Sequence, residues 1–305
     1  MKVISKDISF KGRKVLLRTD FNVHIEGGFV KETYRIERAM QTLDFLVRAG
    51  AKVIIISHID SKEGGSLEPV ARYLTQRFPR LRFVPDIYAP EVSREVADLK
   101  EGGILLFENL RKWSGEEDND ETFAKYLASF ADVFVQEGFA VCHREHASIV
   151  SIPKFLPSYA GFLVAEEVSN LSKAFRPRKP FLFILAGAKF STKIPLVNKF
   201  LPVADNLFIA GAIANDIYKA KGLFVGDSLV DDENLDVSSL LNNEKIIIPI
   251  DVVTSHKGIV YEKKPEEISV GEKIVDAGKK TMIEIKKIVD QASFIVWNGT
   301  LGKYE

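Results

Sequence analysis

One cysteine, Cys142, in 305 residues rules out an internal disulfide and is compatible with a reducing cytoplasm. Net charge is missing as well. The 42 Lys+Arg balance the 42 Asp+Glu, so overall charge gives no reason to expect nucleic acid or a membrane surface as partner. The opening Met1-Lys2-Val3-Ile4-Ser5-Lys6-Asp7 lacks the apolar centre of a signal peptide, and no apolar run approaches the length of a membrane helix; the chain reads as cytoplasmic. Neither G-x-x-x-x-G-K-[ST] nor G-x-G-x-x-G occurs, so any nucleotide site must be of another design than the P-loop or the dinucleotide fold. There is no internal repeat and no low-complexity tract. What is present is a hydrophobic fraction of 46%, enough for a large core, over a length for which two domains are the natural expectation.

Strand-like runs recur near residues 15, 53, 82, 104, 132, 181, 206, 245 and 293, mostly separated by helical periodicity such as 36–49, 67–78 and 123–130. Strands alternating with helices argue for an α/β chain with parallel sheets. The charged amphipathic segment from Ala165 to Phe175 runs into Arg176-Pro177-Arg178-Lys179-Pro180, where the prolines end the helix and open a new unit. The acidic run from Gly115 to Glu121 reads as a solvated loop leading into a helix.

Several apolar runs of the first half deliver polar residues at their carboxyl ends. Val15 to Val23 ends in Asp20 and Asn22, followed by a Gly27-Gly28 turn and then Arg35 on a helix; Val53 to Ile56 leads to Ser57-His58; the others are Phe107-Glu108-Asn109-Leu110-Arg111 and Gln136-Glu137-Gly138-Phe139. In open parallel sheets that edge is where ligands bind. Val141-Cys142-His143-Arg144-Glu145-His146-Ala147-Ser148 adds two imidazoles and a guanidinium, groups that suit phosphate or carboxylate. Alone, that cluster is equally a wet polar loop. Taken together, Arg18, Asp20, Asn22, Arg35, His58, Arg111 and Arg144 form a basic basin with few carboxylates.

In the second half, Phe181 to Lys189 is a buried strand turning through small residues, and the spacing of Lys189 and Lys193 places both ammonium groups on one side of a helix start, where exposed N–H groups also favour anions. Two solvated lysines are the bland alternative. Phe208-Ile209-Ala210-Gly211-Ala212-Ile213-Ala214-Asn215 passes into a small-residue turn that lets a flat ring approach the backbone. Ile247-Ile248-Pro249-Ile250-Asp251 and the segment from Val296 to Glu305 carry further strand ends, for which packing, a strand cap and a chain terminus are the ordinary explanations.

In this order the segments resemble the phosphoglycerate kinase family: Arg18-Thr19-Asp20-Phe21-Asn22-Val23, Ser57-His58, Glu108-Asn109-Leu110-Arg111, His143-Arg144-Glu145-His146-Ala147-Ser148, Gly187-Ala188-Lys189-Phe190-Ser191-Thr192-Lys193-Ile194 and Val296-Trp297-Asn298-Gly299, over residues from about 5 to 305. The resemblance implies two Rossmann-like three-layer lobes with parallel sheets, joined by a hinge helix: a phosphoglycerate domain over 1–162, the hinge over 163–176 and a nucleotide domain over 177–305. It implies reversible phosphoryl transfer between 1,3-bisphosphoglycerate and ADP, giving 3-phosphoglycerate and ATP, by a monomer that binds small molecules. Asp20, Asn22, Arg35, His58, Arg111 and Arg144 would bind substrate; Arg35 and Lys189 would act on the migrating phosphoryl. Lys193, Gly211 and Glu305 would bind the nucleotide, with Glu305 on the ribose. The family works with ATP or ADP and Mg²⁺.

This sequence departs from the family's pattern at several places. Ser61 stands near the place of an arginine, Gln136-Glu137 replace Asn-Asp, Ala186 replaces a glycine, Thr192 an aspartate and Thr300 a proline. Family members continue past the position of Glu305 into glycine-rich segments that include a Mg²⁺-ligating aspartate. The C-terminal lobe is therefore expected to be incomplete, with no protein ligand for Mg²⁺ and slow turnover. The alternative reading is a truncated or divergent non-catalytic relative that binds phosphoglycerate, nucleotide or both.

Overall fold

The computed structural model describes residues 1–60, 65–231, 237–241 and 243–303. The chain divides into two compact units, Met1–Asn170 and Leu171–Glu305.

The first unit contains β1 (Lys14–Arg18), the short hairpin β2 (Ile25–Glu26) and β3 (Phe29–Val30), α1 (Tyr34–Arg48), β4 (Lys52–Ile56), α2 (Glu68–Thr75), β5 (Leu81–Val84), α3 (Val92–Ala97), β6 (Ile104–Phe107), α4 (Ser114–Glu117), α5 (Glu121–Ala128), β7 (Val133–Gln136), β8 (Ser158–Ala160) and most of α6 (Phe162–Lys173), whose last residues, from Leu171, fall in the second unit. Its main sheet has the order β5-β6-β4-β1-β7-β8 with every pairing parallel. Continuous apolar strands such as Val-Leu-Leu and Val-Ile-Ile-Ile suit a sheet covered on both faces. Alternation along each strand divides the core accordingly. Val15, Leu17, Val53 and Ile55 pack with Ile36, Met40 and Leu43 of α1, while Leu16, Ile54, Ile56 and Phe134 pack with Val92, Val96, Phe123 and Leu127. In α1 the buried Ile36, Ala39, Met40, Leu43 and Leu46 recur at the three- and four-residue spacing of one helix face.

That strand order has one consequence for chemistry. The strands β6, β4, β1 and β7 are neighbours, so the loops leaving their carboxyl ends lie side by side along one edge of the sheet.

The second unit contains β9 (Phe181–Leu185), α7 (Ile194–Phe200), β10 (Asn206–Ile209), α8 (Ala212–Ala220), α9 (Ser238–Leu241), β11 (Ile246–Ile247), β12 (Val252–His256), β13 (Ile259–Lys263), β14 (Lys273–Ala277), α10 (Lys279–Gln291) and β15 (Phe294–Asn298). A parallel sheet runs β11-β10-β9-β15. Both main sheets are thus parallel, as the alternating strands and helices suggest. A separate antiparallel sheet, β13-β12-β14, was not expected from the sequence. Its β13, with Ile259, Val260 and Tyr261 all exposed, lacks the inside-outside alternation that marks a half-buried strand. Among the described residues no helix is long and apolar enough to cross a membrane.

Candidate functional site

At the carboxyl edge of the six-stranded sheet, backbone and side chains tie the strand exits together. The Ser57 hydroxyl accepts from Phe21 N–H at 2.9 Å and donates to the Thr19 carbonyl at 2.9 Å, locking the exit of β4 to that of β1. Asn109 caps the turn after β6: its Oδ1 accepts from Ile59 and Arg111 N–H, and its Nδ2 donates to the carbonyls of Ile59 and Gly65. Glu108, also buried, accepts from Leu67 N–H, Asn109 N–H, Ser66 Oγ and Lys112 Nζ.

On this frame the residues singled out in the first half meet in one basin. Arg35 Nη1 donates to Asp20 Oδ2 at 2.6 Å. Asn22 bonds Asp60 twice, accepting its N–H at 2.9 Å and donating to its Oδ2 at 3.0 Å. Arg111 pairs with that same Asp60 and lies 3.3 Å from Glu117. Arg144 is exposed and makes no ion pair with any described residue. The expectation of few carboxylates is therefore wrong. Asp20, Asp60, Glu116 and Glu117 all engage the arginines, because guanidinium groups held this close together need counter-charge. Two Arg111 nitrogens, Nε and Nη2, are buried and have no hydrogen-bond partner among the described residues.

His58 sits at the centre of this field. Burial first, and then the positive charges of Arg18, Arg111, Arg144 and Arg35, push its pKa down to about 2. The imidazole is accordingly neutral at physiological pH, a hydrogen-bonding group among cations and not a further cation.

The acidic run after Trp113 is a second correction. Its Glu116 is not solvated: α4 turns it inward, fully buried, where it accepts from Ser148 N–H at 2.9 Å and Ser148 Oγ at 2.5 Å and faces Arg18 at 3.6 Å. Ser148 lies on a π-helical turn, Ala147–Ser151. The signal that could have revealed Glu116 was Arg18 itself, a guanidinium at the end of an apolar strand that requires a buried partner. Glu137, at the exit of β7, is buried too and accepts from Leu163 N–H at the start of α6. Burial pushes its pKa up to about 7, against the opposing hydrogen bonds of Thr42 and Leu163.

The second unit offers a different kind of site. The turn after β9 runs through Ala186, Gly187 and Ala188, and β10 leads through Gly211 into α8. Gly211 has φ 67°, and a Cβ there would lie 3.0 Å from Gly187 N and Thr300 O, so close backbone approach demands glycine. Beside these residues lies a cavity of about 460 Å³, with Tyr218, Pro249, Val275 and Asp276 contributing to its walls. Asn215 also lines it; its Nδ2 donates to the Leu229 carbonyl, while its buried Oδ1 has no partner among the described residues. Nothing in the sequence reading brought β14 to this wall.

Lys193 Nζ donates to Asn298 Oδ1 at 2.7 Å, bridging to the end of β15. Its stem passes Gly187, since a Cβ on that glycine would be 3.6 Å from Lys193 Cε. Lys189 is exposed in the loop before any helical residue. The two lysines therefore do not share a helix start as their spacing suggested: a 3₁₀ turn covers Ser191–Lys193 and α7 begins only at Ile194, just before Pro195, which fits a first turn. Asp251 is a helix cap. Burial opposes its charge, yet the Thr281 hydroxyl and the N–H groups of Thr281 and Lys280 hold it below the usual carboxylate range. Ser61 and Glu305 lie outside the described residues. Among the described residues no group of three or more His, Cys, Asp or Glu is placed to hold a metal ion.

Comparison with known proteins shows the family of the chain. The family model for phosphoglycerate kinase matches residues 5–305. The phosphoglycerate kinase of Fervidobacterium nodosum is 38% identical over 324 residues, covering 100% of this chain and 80% of that protein. That of Aquifex aeolicus is 38% identical over 320 residues, covering 98% and 80%. Among solved structures, phosphoglycerate kinase from Coxiella burnetii superposes with a TM-score of 0.84 at 31% identity, covering 99% of this chain and 81% of its own.

Proposed function

Because this chain belongs to the phosphoglycerate kinase family, we propose that the basin of its first unit receives 3-phosphoglycerate and that the cavity of its second unit receives the nucleotide. The function is reversible phosphoryl transfer between 1,3-bisphosphoglycerate and ADP, giving 3-phosphoglycerate and ATP, a glycolytic step. Such a transfer needs positioning and charge neutralisation and no covalent intermediate, because the migrating group spreads negative charge over its oxygens.

The roles follow from the donors available. Asp20 accepts the glycerate hydroxyl and Asn22 holds the carboxylate end. Arg111, Arg144 and the neutral His58 hold the phosphate that stays behind. Arg35 and Lys189 face the migrating phosphoryl, where groups that meet developing charge act on turnover more than on ground-state affinity. Lys193 takes the nucleotide phosphates, the Gly211 turn admits the base, and Glu305 takes the ribose. Mg²⁺ would come with the nucleotide, since it keeps much of its water and rides on phosphate oxygens. Residues 1–162 would form the phosphoglycerate lobe and 177–305 the nucleotide lobe, with 163–176 as the helix between them, in a cytoplasmic monomer.

The observation that carries the substrate assignment is His58 held neutral among four arginines, beside the unpartnered Arg111 Nη2. Arg144→Ala is expected to weaken 3-phosphoglycerate binding by about 1.5 to 3 kcal/mol, the range for hydrogen bonds to charged groups, with ADP affinity unaltered. Titration calorimetry measures both, and an unchanged 3-phosphoglycerate affinity would remove the assignment.

A further inference from the structure

Beneath the basin, Arg18 and Glu116 are both without exposed surface. The guanidinium is held on three sides. Nε donates to Ser148 Oγ at 2.7 Å, Nη1 donates to the Thr19 carbonyl, and Nη2 lies 3.6 Å from Glu116 Oε1. Glu116 in turn accepts both the N–H and the hydroxyl of Ser148, so one carboxylate fixes the pair of groups that orient Arg18. The remaining edge of the guanidinium faces His58 Nδ1, at 3.4 Å from Nη1 and 3.3 Å from Nη2.

Guanidinium nitrogens have hydrogens to give and no lone pair to offer. An imidazole nitrogen facing them must therefore present its own lone pair, and a neutral imidazole carries a single proton. We propose that Glu116 is a positioning residue of this site: through Arg18 it fixes His58 as the tautomer protonated on Nε2, so that His58 donates to the phosphate that stays behind. The His58 Nε2–H has no hydrogen-bond partner among the described residues, which leaves it for a ligand. The opposite tautomer would set N–H against N–H across Arg18 and would offer the phosphate a lone pair. The role of the ligand rests on the phosphoglycerate reading above; the tautomer does not.

Imidazole ¹⁵N resonances separate the two forms directly. In histidine-labelled protein without ligand, with His58 assigned through His58→Gln, His58 is expected to show an unprotonated Nδ1 and a protonated Nε2. In Glu116→Gln, native by near-ultraviolet circular dichroism, a mixture of tautomers is expected, with 3-phosphoglycerate affinity reduced roughly 10-fold. Arg18→Gln, whose amide can serve either tautomer, is the second variant and is expected to release the Nδ1–H form. A wild-type Nδ1–H, or a pure Nε2–H form retained in either folded variant, would overturn the proposal. Wild-type calorimetry with 3-phosphoglycerate reports separately on the substrate reading, since the spectra are taken without it.

Discussion

Along the carboxyl edge of the six-stranded sheet Arg18, His58, Glu116 and Glu137 are all buried, whereas the turns after β9 and β10 consist of Ala186, Gly187 and Gly211 with Lys193 half-buried and Lys189 exposed. The two units thus present their polar groups by opposite means. In the first, Arg18 is held by Ser148 and Glu116, so a buried guanidinium is oriented in advance. In the second, small residues bring backbone close to a cavity, and long flexible side chains stand beside it. A fixed network gives geometry at the expense of stability, since buried ions are costly unless every partner is in place. A glycine-lined turn costs little and specifies less.

This contrast makes the two halves respond differently to mutation. The largest effect is expected from Glu116→Ala, which strands the buried Arg18 guanidinium: about 3 to 5 kcal/mol of lost stability in the first unit by denaturant unfolding. A loss below about 1 kcal/mol would mean that the network is not the rigid element described.

Glu137→Gln sharpens the same side. A carboxyl whose pKa rises from 4.5 to about 7 on folding keeps its proton in the native state while the unfolded chain releases it. Stability is therefore expected to fall as pH rises from about 4.5 through 7, by roughly 3 kcal/mol in all, and Gln should flatten that slope and stabilise the protein above pH 7. Parallel slopes for wild type and variant would show Glu137 to be innocent. The smallest effect belongs to the second unit. Lys193→Ala should lower ADP affinity by about 1 kcal/mol, leaving 3-phosphoglycerate binding intact in calorimetry. Equal loss of both ligands would break the comparison.

The buried-charge side was only half legible beforehand. Arg18, Asp20, Asn22, His58 and Arg111 follow apolar strands directly, and a parallel sheet collects strand exits at one edge. Their counter-charges come from elsewhere in the chain. Asp60 closes on Arg111 from the neighbouring exit, and Glu116 sits in an acidic run indistinguishable from a solvated loop until α4 points one of its carboxylates inward. Lys189 and Lys193 mislead for a related reason: four-residue spacing implies a shared face only where the backbone is helical, and here helix α7 starts after both.

By itself the amino-acid sequence determined the local matters, which depend on neighbours along the chain. These are the period of the strands and helices, hence the α/β class with parallel sheets, and the polar residues at the strand exits. Only the tertiary structure decided which exits adjoin, which carboxylate answers which arginine, how β14 comes to wall the cavity near Gly211, and which nitrogen of His58 faces Arg18. Those choices depend on strand order and on burial. Burial turns a weak exposed ion pair into a requirement, because charge removed from water must find its partner within a few ångströms, wherever in the chain that partner lies.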